Sequence, residues 1–243
     1  MKRETALILF CLTLSFLSVP ASAQDDYALF REAAGNASLL YRGQRAFSYE
    51  QVFNGTFYAV SPDFRNGSVV YGGRRYDDVL LNIDAARQEL LVRLPGSIID
   101  KVLDGRLVEE FTIDGQRFVN LQYSCGPAAP AGYWAVLYDG NTKFLRRVSK
   151  TLENDVDGRK SDLTGYDGPY RRTVYQVFVR TFSYCCLQAD GQVLPLRRRN
   201  DLLKTFDPAL RREVRRMIRR REGNDAMPFE RYCTETLKYV ESR

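Results

Sequence analysis

The chain has 243 residues with 36 Lys and Arg against 30 Asp and Glu, a formal charge of +6, and no histidine at all. Without an imidazole, Ser-His-Asp and Cys-His catalysis, the commonest metal ligand and the usual proton shuttle near neutral pH are removed. Most of the positive charge is local. Residues 197–222 hold ten Arg and Lys204 against Asp201, Asp207, Glu213 and Glu222, so this stretch alone carries +7.

Lys2 and Arg3 precede an apolar run over 6–19, and Ala21, Ser22 and Ala23 follow as small residues. This is the order of an export signal cleaved after Ala23, and the run falls short of the roughly 18–20 apolar residues that a membrane anchor requires. Cys11 lies inside the run, behind Phe10, so lipidation at a Cys after small residues does not fit. The expectation is therefore an exported protein, periplasmic or extracellular, with residues 1–23 removed. No later segment of the sequence is long and apolar enough to span a bilayer. The remaining residues, 24–243, suffice for one sizeable domain: a β-rich body over 24–196 and a basic helical segment over 197–243 packed on it.

From residue 27 to about 41, Phe30, Ala33, Ala34, Ala37 and Tyr41 fall on one helical face, with Gly35 and Asn36 weakening the helix. After a loop-rich stretch, short β-prone runs predict an antiparallel meander: 68–71 and 74–76 around Gly72-Gly73, then 78–83 and 89–94, 101–103, 107–113 and 116–121. Asp104-Gly105 and Asp114-Gly115 accept the positive φ angles of hairpin turns, as does Asp139-Gly140 between 133–138 and 142–148. Residues 125–132 and 154–169 read as loops. The longest β-like run, 174–187, turns back at Asp190-Gly191 into 192–196. Asp207 then caps a helix from Pro208 that Gly223 can end. On it Leu210, Val214, Met217 and Ile218 form an apolar arc, opposite Arg211, Arg212, Arg215, Arg216, Arg219 and Arg220. Phe229, Tyr232, Cys233, Leu237 and Val240 stripe a last helix beginning near Pro228. The fold class is α+β: a predominantly antiparallel meander, as a sheet or half-barrel, with a short N-terminal helix and two C-terminal amphipathic helices.

Leu40-Tyr41-Arg42-Gly43, Phe57-Tyr58, residues 67–73, 76–79 and Asn82-Ile83-Asp84 together resemble a group of exported proteins common in Bacteroidota. The resemblance covers most of the mature chain except the loops after Cys125 and Asn154. It implies export and a β-rich body ending in a basic helix and an amphipathic one, and it carries no site residue.

Cys125, Cys185, Cys186 and Cys233 are candidate disulfide cysteines in an oxidising compartment. Adjacent residues of a strand point to opposite faces, so Cys185 and Cys186 are poorly placed to bond each other, and one each can meet Cys125 and Cys233. Four buried thiols are the alternative. For chemistry, Glu109, Glu110 and Asp114, or Asp77 and Asp78, offer carboxylates for a hydrolase. Charged, solvated strand faces are the plainer reading. Asp155, Asp157, Asp162 and Asp167 match no calcium loop, and no metal or cofactor is called for. Asn36, Asn54 and Asn66 open glycosylation-type triplets that matter only in a eukaryotic secretory pathway.

The strongest local feature is the arginine face, an electrostatic footprint suited to phosphate or carboxylate groups. No nucleic-acid motif or aromatic stacking platform accompanies it. Anionic lipid, an envelope polymer or a protein partner fits better. The expectation is a non-catalytic binding or structural module, with a carboxylate hydrolase as the alternative and a merely solvated helix face as the bland one.

Overall fold

The computed structural model describes residues 34–155, 176–222 and 227–242. The expected export segment, most of the expected first helix, most of the acidic loop with Asp157, Asp162 and Asp167, and Gly223 lie outside these residues. What is described of the first helix is two 3₁₀ turns, Gly35–Ala37 and Leu40–Arg42, which bury Leu40 and Tyr41.

Ten strands form one antiparallel sheet in the order β10-β9-β8-β7-β6-β5-β1-β2-β3-β4. They are β1 Arg65–Tyr71, β2 Arg74–Asp84, β3 Glu89–Arg93, β4 Asp100–Val102, β5 Val108–Ile113, β6 Gln116–Asn120, β7 Tyr133–Tyr138, β8 Lys143–Asn154, β9 Gln176–Leu187 and β10 Val193–Leu196. The helices are α1 Leu121–Cys125, α2 Arg199–Lys204, α3 Pro208–Glu222 and α4 Phe229–Glu241. The α+β class and the β-rich body are as expected, whereas α1 and α2 are additional.

Residues 74–76 and 78–83, read as two runs, are one strand, β2. It absorbs the extra residue as a bulge at Asp77 and Asp78 opposite Ser68, where Asp78 takes φ 55°. Gly72 and Gly73, and Asp114 and Gly115, all have positive φ and make the expected tight hairpins. Asp104-Gly105 does not make one. β4 pairs only with β3, while β5 pairs with β1 and β6. β4 and β5 are thus four strand spacings apart in the sheet, about 19 Å if it were flat. The connection 103–107, which folds back through a Leu107 N–H to Asp104 carbonyl bond of 2.9 Å, is too short for that distance. The sheet must therefore curl. The same curl brings the β2–β3 turn to β8, where the Lys150 amide donates to the Ala85 carbonyl (3.1 Å) and the Gln88 side-chain amide to that of Val148 (2.9 Å). β1 and β5 approach closely at Gly67, where a Cβ would sit 1.9 Å from the Thr112 carbonyl oxygen.

The inner face of the curl carries two apolar clusters. One, built on β1–β7, includes Leu81, Leu90, Phe111, Phe118 and Ala135. The other joins Phe144, Cys186 and Leu196 to Leu202, Val214, Ile218 and Leu237 of the helices. The outer face of β7–β9 holds Trp134, Leu145 and Cys185 under Leu121 of α1. Gluing the last helix to the sheet, Glu241 accepts from the Tyr138 hydroxyl (2.8 Å) and the Thr142 amide (2.9 Å).

Candidate functional site

Helix α3 is positioned from both ends. Asp207 caps it, its carboxylate accepting from the amides of Ala209 (2.9 Å) and Leu210 (3.0 Å), and those bonds hold its pKa below the ordinary value. Pro208 opens the helix, where a missing N–H costs nothing. Val214 and Ile218 are buried against Tyr232, Cys233 and Leu237 of α4, and Leu210 and Met217 pack at the margin. At the far end Arg221 is ion-paired to Glu235 of α4. With one face committed to α4 and the sheet, the other is fixed outward.

The six arginines expected on the outward face of that helix do not form one uniform set. Arg211 is half-buried and turns back to close the preceding turn, its guanidinium donating to the carbonyls of Phe206 (2.7 Å) and Lys204 (3.1 Å). Arg212 donates to the Pro208 carbonyl within its own helix (3.3 Å). Arg215, Arg216, Arg219 and Arg220 are exposed and meet no acceptor among the described residues. Spaced three and four residues apart, they form one continuous patch. Arg216 and Arg220, with Arg221, Glu213, Met217 and Tyr239, also line a shallow cleft of about 300 Å³ between α3 and α4.

Some arginines of the body are paired, whereas Arg42, Arg45, Arg74 and Arg180 have no carboxylate partner among the described residues. Arg75, Arg87, Arg93, Arg106, Arg117 and Arg146 each lie within 3.1 Å of a carboxylate. Arg117 is shared between Glu110 and Asp139, at 2.7 Å from each.

The carboxylates considered for hydrolysis are scattered by this pairing. Glu109 sits at a bulge in β5 and accepts from the Gly73 amide (3.1 Å), Glu110 is held by Arg117, and Asp114 lies near Arg65 at 3.6 Å. Asp77 pairs with Arg75, while Asp78 accepts from the Asn66 side chain (3.3 Å). Each of these carboxylates is thus engaged by a local cation or donor. Two carboxylates are buried among the described residues, Asp84 and Asp155, and the oxygens of Asp84 cap the β2–β3 turn through the amides of Ala86 and Arg87 and accept from the Tyr49 hydroxyl. Burial raises the pKa of Asp84, and those hydrogen bonds oppose the rise.

The cysteines separate by face. Cys185 lies in the outer cluster against which Cys125 packs, and Cys186 in the inner cluster with Cys233. All four are free thiols here. Burial pushes those of Cys185, Cys186 and Cys233 up to about 12.

One group of charged residues was passed over in reading the sequence. Along β8 and β9, Arg146, Lys150 and Arg180 share the inner face with Phe178, Phe182 and Tyr184, as the register Arg146↔Tyr184, Val148↔Phe182 and Lys150↔Arg180 requires. Their alternation with apolar residues was visible, and only strand pairing shows that they meet.

No family model matches the chain, and neither a curated protein nor a solved structure does. No helix among the described residues is long and apolar enough to cross a membrane.

Proposed function

We propose that this is an exported cell-envelope or secreted module without catalytic activity, which contacts an anionic partner, lipid headgroups or an acidic envelope polymer, through helix α3. The observation that carries the reading is the clustering of unpaired charge. Six body arginines have carboxylate partners, while Arg215, Arg216, Arg219 and Arg220 sit together, exposed, with none among the described residues. Clustered like charges repel one another and destabilise a helix by a few tenths of a kcal/mol per pair. A ligand carrying several negative groups reverses that sign. Export rests on the Lys2–Ala23 pattern and fits an envelope partner.

The test is co-sedimentation with vesicles of phosphatidylglycerol and phosphatidylcholine, and retention on an acidic polysaccharide, for wild type and a variant with Arg215, Arg216, Arg219 and Arg220 changed to Gln. Each arginine near an anionic membrane contributes about 1 kcal/mol, so the four together supply a binding advantage of roughly a thousandfold at low salt. Going from about 0.1 M to 1 M salt shortens the screening length from about 10 to 3 Å and should release the wild type. Equal retention of wild type and variant at both salts refutes the proposal.

A further inference from the structure

A cavity of about 300 Å³ lies on the inner face of the sheet, beside the apolar cluster built on β1–β7. Ile83, Phe118, Ala135 and Val148 line it, with Ala59 and Val60 of the segment that crosses the inner face, and Gln116 and Tyr133 add polar groups to this apolar lining. Its mouth is aromatic and cationic. Phe182 is 42% exposed, and the guanidinium carbons of Arg146 and Arg180 lie 5.2 and 5.0 Å from its ring centre.

The charges at this mouth do not balance. Arg146 is neutralised by Glu230 of α4, 3.0 Å away, yet its Nε is buried with no acceptor. Arg180 has no carboxylate partner among the described residues, and Lys150 faces it across the β8–β9 ladder. The Lys150 ammonium is buried and donates to the Thr56 carbonyl (2.5 Å), a neutral group. Of these three cations only Arg146 thus meets a carboxylate among the described residues, and that carboxylate also accepts from the Tyr184 hydroxyl. An uncompensated positive excess beside a low-dielectric cavity favours one anionic group at its mouth.

We propose that this cavity binds a small organic carboxylate with a compact, flat apolar body. The body enters against Phe118, Ala135 and Val148 and stacks near Phe182, and the carboxylate is held by the Arg180 guanidinium at the rim. A guanidinium fork matches a carboxylate in geometry as well as charge. The volume, about ten water-sized units, sits at the small end of ligand sites and limits the body to roughly two fused rings. This site is separate from the α3 patch and does not depend on it.

The experiment uses the full chain as purified, titrated by calorimetry with 2-naphthoate, its neutral analogue 2-naphthamide, and inorganic phosphate. Naphthoate should bind saturably in the submillimolar range and outcompete phosphate. Arg180→Gln removes an exposed side chain that makes no hydrogen bond, so the fold should survive, as circular dichroism will verify. It should weaken naphthoate roughly ten- to a hundredfold, the range for a charge-assisted bond, and leave naphthamide unchanged. The variant with the four α3 arginines changed to Gln should bind naphthoate as the wild type does, which distinguishes this site from the proposed surface contact. No saturable naphthoate binding, equal affinity in Arg180→Gln, or phosphate binding as tightly as naphthoate would each overturn the proposal.

Discussion

Replacing Lys150 with methionine should make the protein more stable at neutral pH, and the gain should vanish in alkali. Lys150 is 6% exposed, and its ammonium meets a carbonyl rather than a carboxylate. Burial, and secondarily the Arg180 charge, lower its pKa from 10.5 to about 8. That lowering corresponds to about 3 kcal/mol against folding with the amine charged. Between pH ~8 and ~10.5 the unfolded chain holds the extra proton, so stability contributed by this group rises with pH across that window. The penalty is nearly complete at pH ~7 and falls to about 1 kcal/mol at pH ~10. Methionine fills a similar volume but forfeits the bond to the Thr56 carbonyl, a loss of about 1 kcal/mol. Lys150→Met should therefore be stabilised by about 2 kcal/mol at pH ~7, or roughly 4–8 °C in Tm, and by close to nothing at pH ~10. The assay is urea unfolding of both proteins under reducing conditions at the two pH values. The buried thiols of Cys185, Cys186 and Cys233, raised to about 12, act the opposite way, because they ionise more readily when unfolded. They are common to both proteins and cancel in the difference. A variant that is destabilised at pH ~7, or a difference that does not move with pH, would refute the reasoning.

Other perturbations test the packing. Protein matured in an oxidising compartment should contain Cys125–Cys185 and Cys186–Cys233 bonds, one on each face of β9, detectable by peptide mapping without reductant. Closing loops of about 60 and 47 residues, each should add about 4 kcal/mol in the chain-entropy account, and a Cys125–Cys233 linkage would contradict the arrangement. Gly140→Ala should cost about 1–2 kcal/mol, because its Cβ would lie 2.0 Å from the Glu241 carboxylate that anchors α4. Once Glu241 is already alanine, the same change should cost less, because only the Tyr138 ring, 2.7 Å from that Cβ, is left to shift, and a double-mutant cycle by urea unfolding will measure the difference. Asp207→Ala should lower stability by about 1 kcal/mol through loss of the α3 cap, leaving the charge patch intact at low temperature. Thermal unfolding followed by circular dichroism checks the first outcome, and vesicle binding the second.

What could be read from the sequence divides along the distance over which each feature is decided. Helix α3 was legible because a 3.6-residue period is a local property: Val214 and Ile218 had to share a face, and Arg215, Arg216, Arg219 and Arg220 had to lie opposite. The same reading missed that Arg211 folds back on the Phe206 and Lys204 carbonyls, which depends on a turn that periodicity does not describe. Asp-Gly pairs show the same limit. At Asp114-Gly115 both residues take positive φ, 49° and 76°, and the flanking strands pair. At Asp139-Gly140 neither residue takes positive φ; there glycine is needed because the Glu241 side chain comes too close for a Cβ. The dipeptide announces a permitted turn and is silent about which strands meet across it.

The inner-face cavity is less legible still, since it exists only when two registers coincide. Arg146 must oppose Ala135 on β7 and Tyr184 on β9, and Arg180 must oppose Lys150. A slip of one residue in β8 against β9 would turn Phe144, Val148 and Leu152 outward and move Arg146 and Lys150 to the other face. Twelve paired residues along β8 and β9 fix that register, from Lys143↔Leu187 to Asn154↔Gln176. The aromatic cluster of Tyr49, Phe53, Phe57 and Phe178 pins one end and the Phe144–Tyr184 stack the other. The cations between these two anchors are therefore held in place by apolar packing on either side, which is why an arrangement that is electrostatically unfavourable without a ligand can persist in the folded chain.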